Sequence, residues 1–406
     1  MAVIQGIELF LIQNRTSRKI DFWKGQIMGS GTQIIPKDSR HAEVSGAGFA
    51  GLVAATALRQ RGWSVTLHER GPELRALGAG ILLWKNSLQV LKAIGALDDV
   101  MSQSMTPPFY ETRMNNEVVS KEDFGGLPWR TMTRSALHEA LVGAAMKSGV
   151  EIKVNSYVTS ADPEGSLTLE SGEIRRADLV VGADGVHSKV RDSIGFKQDR
   201  TESRDGITRL IVPRNRELLG PGDWDNVIDF WNLEPRVLRV LYIPCTKDHL
   251  YLALMSPKDD KEGSAVPINF GVWAENFPHL RPVLEPAAKI HGRYDGYITN
   301  VLDNWTTGSV ALIGDSAHAM CPALAQGAGT AMQNAYTLAV ASTASTGSMS
   351  DSLVAWESSE RGITDRCQER SAYFAATRSM ANGNQFTPTM LETAFYDPTE
   401  IGEHLV

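Results

Sequence analysis

Residues 41–70, HAEVSGAGFAGLVAATALRQRGWSVTLHER, constrain the fold more tightly than any other stretch. Apolar residues run up to Ser45, three glycines follow at Gly46, Gly48 and Gly51, and Leu52, Ala55 and Leu58 then recur at helical spacing. Gly62 closes the helix, and SVTLHE reads as a buried strand ending at Glu69. A glycine triplet alone is a weak motif. Between a strand and a helix, with an acid eighteen residues past the last glycine, it becomes the signature of a dinucleotide site. The glycines let backbone approach a pyrophosphate, whose charge meets free amides and the helix dipole, and the acid accepts from a ribose. An ordinary strand–turn–helix would explain the glycines and leave Glu69 without a role. NAD and FAD share this turn, so it does not name the nucleotide.

Two later segments have the same design. RRADLVVGADGVHSKVRDSIG carries an apolar run, Leu179 to Val181, that ends in Gly182, Asp184 and Gly185; SVALIGD ends in Gly314 and Asp315. After the second comes SAHAMCPALAQGAG, where Pro322, Gly327, Ala328 and Gly329 mark a glycine-rich helix start. Each run predicts a strand whose carboxyl end delivers a glycine and an aspartate, where open α/β sheets bind ligands. An NAD enzyme needs one such turn. Three of them predict a longer cofactor.

The three turns, Gly46-Ala47-Gly48-Phe49-Ala50-Gly51, Asp184-Gly185 in DGVHSKVR and Gly314-Asp315 in GDSAHAMCP, resemble in order and spacing the fingerprints of the single-component FAD-dependent aromatic hydroxylases. GLPWRTMTRSALHEALV, SKVRDSIGFKQDR and CPALAQGAG resemble a ring-opening branch of that family that acts on a pyridine carboxylate. The resemblance spans residue 41 to about 380. It implies an α/β fold: a Rossmann-like FAD-binding domain of glutathione-reductase type, a mostly antiparallel β-sheet substrate lobe, and C-terminal helices. It places non-covalent FAD on Gly46, Gly48, Phe49, Ala50, Gly51, Glu69, Arg70, Arg134, Asp184, Gly185, Asp315, Pro322, Gly327, Ala328 and Gly329. Arg134 matches the family's R-x-x-L arginine; an arginine at a helix start is otherwise commonly just solvated. Asp315 matches the carboxylate that binds the ribityl chain. Amides at the following helix start would stabilise negative charge on the reduced flavin.

Residues 201–300 change character. GITRLIVPR, WDNVIDFWN, RVLRVLYIP and HLYLALMSP are β-rich runs between Pro, Gly and charged turns, which predicts an antiparallel sheet. Arg209 and Arg239 interrupt two of these runs. A cation buried there is costly unless paired, so each has either an internal salt bridge, an edge position or an anionic ligand. The resemblance implies the last, with Arg209, Arg239, Tyr251 and Tyr110 around a small aromatic or heteroaromatic carboxylate. Leu82 departs from it, standing where that branch carries a tyrosine. His318 and His187 are not assigned to catalysis; the flavin is the reactive centre. Only one GxGxxG is present, so NADH or NADPH binds transiently as co-substrate without a Rossmann half of its own. The implied reaction passes oxygen from O2 to the ring through a C4a-hydroperoxyflavin, followed by ring opening. Hydroxylation with the ring intact is the alternative. A non-catalytic binding protein on this fold is a third, against which the retained Asp184, Asp315 and glycines argue.

Composition narrows the partners. A formal charge of −7 and 42% hydrophobic residues in 406 give a large core and no basic field for nucleic acid. Three scattered cysteines suit a reducing cytoplasm and neither a metal site nor a disulfide framework. No apolar run approaches the roughly 20 residues of a membrane span. Residues 1–40 read as a disordered extension, with Met28 an alternative start. Residues 41–105, 130–200 and 301–385 form the expected FAD-binding domain, 106–129 and 201–300 the substrate lobe, and 386–406 a tail. A homo-oligomer is compatible with this reading.

Overall fold

The computed structural model describes residues 40–75 and 78–377. Apart from Arg40, the expected N-terminal extension lies outside them, as does the expected tail.

The glycine-turn segment forms the centre of a six-stranded sheet. His41–Ser45 lies between Ser64–His68 and Leu179–Gly182, parallel to both, with Val44 opposite Leu67 on one side and Val181 on the other. Glu151–Lys153 extends the sheet past Ser64–His68; Val310–Leu312 and the short antiparallel Thr306–Thr307 extend it past Leu179–Gly182. The chain first adds strands on one side of His41–Ser45 and later on the other. That switch point leaves a crevice at the carboxyl ends of His41–Ser45 and Leu179–Gly182, where such sheets bind ligands.

Helix Phe49–Gln60 is buried from Phe49 through Arg59 because it packs between this sheet and the helices Arg134–Ser148 and Gly327–Ala344. An all-round apolar sequence such as FAGLVAATAL needs that environment. Gly46 has φ +101° and a Cβ there would lie 2.4 Å from the Ala183 carbonyl oxygen, so the turn and the neighbouring strand end touch through bare backbone.

A second sheet runs in the order Tyr294–Leu302, Gln198–Pro213, His249–Pro257, Leu238–Pro244, Val227–Asn232, Tyr110–Met114, Glu117–Glu122. It is antiparallel except where Val227–Asn232 pairs with Tyr110–Met114 in parallel, so it is mixed, not purely antiparallel. Side chains alternate between its faces. Leu210, Val212, Phe230, Val240, Tyr242 and Leu252 pack under the helices Phe270–Asn276 and Arg281–Ala287, which the β-rich pattern of this region did not announce. The other face carries Ile207, Ile243, Tyr251, Ala253 and Met255. A two-stranded antiparallel ribbon, Gly80–Leu83 with Arg130–Thr133, lies against it. The period of two places Arg209 and Arg239 on this second face.

The three-stranded sheet of Val158–Asp162, Ser166–Leu169 and Ile174–Arg176 and the long helix Met349–Thr377 complete the described chain. No helix among the described residues is long and apolar enough to cross a membrane.

Candidate active site

The first two strand-end turns open on one cleft of about 420 Å³, walled by Gly46, Ala47, Gly48, Phe49, Glu69, Arg70, Arg134, Asp184 and Gly185. Gly48 is exposed there, and a Cβ built on it would meet no protein atom within 4 Å. Internal packing therefore does not require glycine at this position, and the bare backbone leaves room for the close approach of a ligand. Gly51 is the opposite case, since its Cβ would lie 1.9 Å from the Gly46 carbonyl oxygen. It and Ala50, which packs toward Gly314, belong to the support under the turn. Glu69 lines the cleft with its Oε2 accepting from Ala47 N at 3.2 Å and Oε1 from Gly71 N at 2.8 Å. A carboxylate has about four lone-pair positions, so capacity for a ribose is left.

Asp184 is spent largely on the protein. Its Oδ1 accepts from Ser188 Oγ at 2.5 Å, and its Oδ2 from the amides of Lys189 and Val190 at 2.7 and 3.3 Å. Ser316, a residue the sequence reading missed, ties the second turn to the third: its hydroxyl accepts from Gly185 N at 2.9 Å and donates to Asp184 at 3.3 Å. Asp315, the preceding residue, carries accessible surface. Burial in the surrounding protein raises its pKa nonetheless, with the Arg134 charge opposing. The Arg134 guanidinium lies 4.7 Å from the centre of the Phe49 ring; burial lowers its pKa and Asp315 opposes that.

Pro322 opens a short 3₁₀ turn, Pro322–Leu324, that leads into helix Gly327–Ala344. The first turn of that helix has no side-chain cap, and Thr330 is the first residue whose amide returns to Gln326. The amides of Gly327, Ala328 and Gly329 thus lack helical partners. Gly329 has a second reason to be glycine, because its Cβ would crowd Ser87 Oγ at 2.8 Å.

The arginine-bearing face of the seven-stranded sheet carries the other residues the resemblance points to. Arg239 grips Asp229 in two-pronged fashion, Nε to Oδ1 at 2.7 Å and Nη2 to Oδ2 at 2.8 Å, and stacks 4.5 Å from the Trp231 ring centre. The Tyr110 hydroxyl donates to the same carboxylate at 3.2 Å. Arg209 has a looser hold, Nη1 to Asp295 Oδ2 at 3.2 Å, and Asp295 is shared with Arg293 Nε at 2.5 Å. Burial raises the Tyr251 pKa, with the nearby Arg209 charge opposing. Burial raises Tyr297 well above its ordinary value, beside Cys321, Arg239 and Arg209. Sequence reading missed Tyr297, Cys321, Asp229 and Asp295. Cys321 stood within the third fingerprint, next to Pro322; the others had no local pattern to mark them.

Gly80 brings this ribbon and the sheet together, since a Cβ there would lie 2.4 Å from Tyr251 Cβ. Leu82 is 7% exposed in an apolar cluster with Ala79, Trp84, Trp129 and Tyr251. His318 is buried beside Trp305 and burial pushes it down to about 4. It is uncharged at neutral pH.

The FAD binding domain family matches residues 41–362. The chain belongs to this FAD-binding family. Over 89% of its length it is 60% identical to 2-methyl-3-hydroxypyridine-5-carboxylic acid oxygenase in its tetrameric form, covering 98% of that chain with a TM-score of 0.83. It is 38% identical over 345 residues to a putative 2-heptyl-3-hydroxy-4(1H)-quinolone synthase of Rhodococcus erythropolis, covering 84% of this chain and 89% of that protein. It is 30% identical to 3-amino-4-hydroxybenzoate 2-monooxygenase of Streptomyces cremeus, over 91% and 95% of the two chains. The protein is an FAD-dependent monooxygenase that uses NAD(P)H and O2. The residues present suit FAD: in the cleft the bare turn at Gly48 fits a pyrophosphate and Glu69 a ribose, and the uncapped amides after Gln326, on the helix packed against Phe49–Gln60, fit an anionic ring edge.

Proposed function

We propose that this flavoenzyme oxygenates a 3-hydroxypyridine carboxylate and opens its ring, a reaction of the vitamin B6 degradation type. The observation that carries the reading is the arginine and tyrosine face beside the cofactor fingerprints, in a chain 60% identical to an oxygenase of that substrate class.

Bound FAD would supply the hydride acceptor and the centre for O2 activation. The protein residues anchor and polarise the substrate. Because Asp295 keeps Arg293, Arg209 can turn to a substrate carboxylate without stranding an unpaired acid. Tyr251 and Tyr297 stay protonated under burial and donate to the ring oxygen. Arg239, fixed by Asp229 and stacked on Trp231, shapes the same face. The buried wall of Ala79, Leu82 and Trp84 keeps water away. A second cleft, of about 470 Å³ with Arg70, Lys189 and Arg200 among its lining, adjoins the first and suits the phosphates of the coenzyme.

Hydroxylation without ring opening is the second reading, favoured by the monooxygenase name of the Streptomyces cremeus relative. Turnover of 2-methyl-3-hydroxypyridine-5-carboxylate under ¹⁸O2 separates the two. Ring opening puts both oxygen atoms and two hydrogens into the product; hydroxylation adds one oxygen and releases the other as water. Absence of NADH consumption with every hydroxypyridine carboxylate, alongside brisk consumption with a benzoate or quinolone, would overturn the proposal.

A further inference from the structure

At the end of the cleft next to Glu69, a buried carboxylate reaches the wall through one imidazole. Glu43, in the central strand, is 1% exposed. Its Oε1 accepts from His41 Nε2 and Arg175 Nε, each at 3.0 Å, and its Oε2 from His68 Nε2 at 2.5 Å. On the far side of the ring, His68 Nδ1 lies 2.7 Å from Ser156 Oγ. Ser156 lines the cleft beside Glu69 and Tyr157.

We infer that Glu43 and His68 position the Ser156 hydroxyl so that its oxygen, and not its hydrogen, faces the adenosine part of bound FAD. An ionised carboxylate only accepts hydrogen bonds, so Nε2 of His68 carries a proton, and we place none on Nδ1. Nδ1 is then an acceptor and takes the one proton that Ser156 owns. The Oγ lone pairs are left for an N–H or O–H donor, and the adenosine offers both in its adenine amino group and ribose hydroxyls. Burial alone would push the Glu43 carboxyl up; hydrogen bonds from His41, His68 and Arg175 outweigh it and hold the pKa down at about 2. Glu43 is therefore ionised throughout the working range. The inference rests on FAD binding and extends it to three residues outside the fingerprints. Ser156 makes the contact; Glu43 and His68 are positioning residues.

The test titrates apoprotein with FAD and follows quenching of flavin fluorescence. Ser156→Ala weakens FAD about tenfold, whereas Ser156→Thr, which keeps the hydroxyl, stays near wild type. In Glu43→Gln the amide donates to His68 Nε2 and reverses the tautomer. FAD then weakens by a similar factor, and adding Ser156→Ala costs nothing more. FMN, which lacks adenosine, binds all variants as it binds wild type. Nitrogen-15 imidazole spectra of the holoprotein show His68 protonated on Nε2 alone. Wild-type FAD affinity in Ser156→Ala, an equal loss of FMN binding, or a proton on His68 Nδ1 overturns the inference. Failure of the wild-type protein to bind FAD overturns instead the flavin assignment beneath it. The Ser156 variants and the spectra decide the matter even where Glu43→Gln does not fold.

Discussion

Arg209 and Arg239 sit on strands either side of His249–Pro257 and face the same way, yet they predict different phenotypes. Arg209→Ala removes the loosely held guanidinium, and Asp295 keeps Arg293. The expected outcome is a KM for the aromatic acid raised about tenfold to a hundredfold with FAD affinity unchanged, read from steady-state kinetics and a flavin titration. Arg239→Ala leaves Asp229, whose side chain is 2% exposed, as an unpaired buried charge. That costs about 3–5 kcal/mol, so the melting temperature falls before any kinetic effect can be isolated. An equal, purely kinetic loss in both variants would contradict the division of labour. Sequence alone could say that each arginine needed an anion. It could not say which anion, because Asp229 and Asp295 lie ten and eighty-six residues away from the cations they meet.

At the scale of elements, the strand–turn–helix units were legible because their chemistry is local. Gly46, Gly48 and Gly51 sit within six residues of one another, and Glu69 ends the next strand. The structure separates roles that the glycine motif merges. Gly48→Ala fits the backbone, whose φ of −75° any residue adopts, and its methyl meets no protein atom. Apoprotein stability should change by less than about 0.5 kcal/mol or rise slightly, while FAD affinity falls more than about tenfold as the methyl stands between amide and phosphate. Gly51→Ala drives a methyl into the Gly46 carbonyl, so it should destabilise the fold by about 3 kcal/mol or more. Thermal melts of apoprotein beside FAD titrations check both; a Gly48→Ala protein that binds FAD normally would remove the pyrophosphate from that turn. Elements whose partners are distant were not legible. The parallel pairing of Tyr110–Met114 with Val227–Asn232 and the two helices over the sheet follow from long-range burial, which no local period encodes.

For the molecule as a whole, the Glu43 network binds two layers into one cooperative body. Glu43 and His41 belong to the central strand, His68 to its neighbour, and Arg175 to the small three-stranded sheet. Nothing in the sequence brought these residues together, since a lone acid in an apolar strand shows a need for partners and not their identity. The folded-state pKa of Glu43 is depressed from 4.5 to about 2, so its contribution is fully present above the unfolded value and is lost as pH falls through that window. The shift corresponds to about 3 kcal/mol of stability at neutral pH, undiminished by solvent because the side chain is 1% exposed. Chemical denaturation of wild type and Glu43→Gln at several pH values should show a stability gap that is constant above about pH 5 and closes toward about pH 2. A gap that does not change with pH would mean that Glu43 stabilises the sheets by packing and neutral hydrogen bonds, and that its charge is not what joins them.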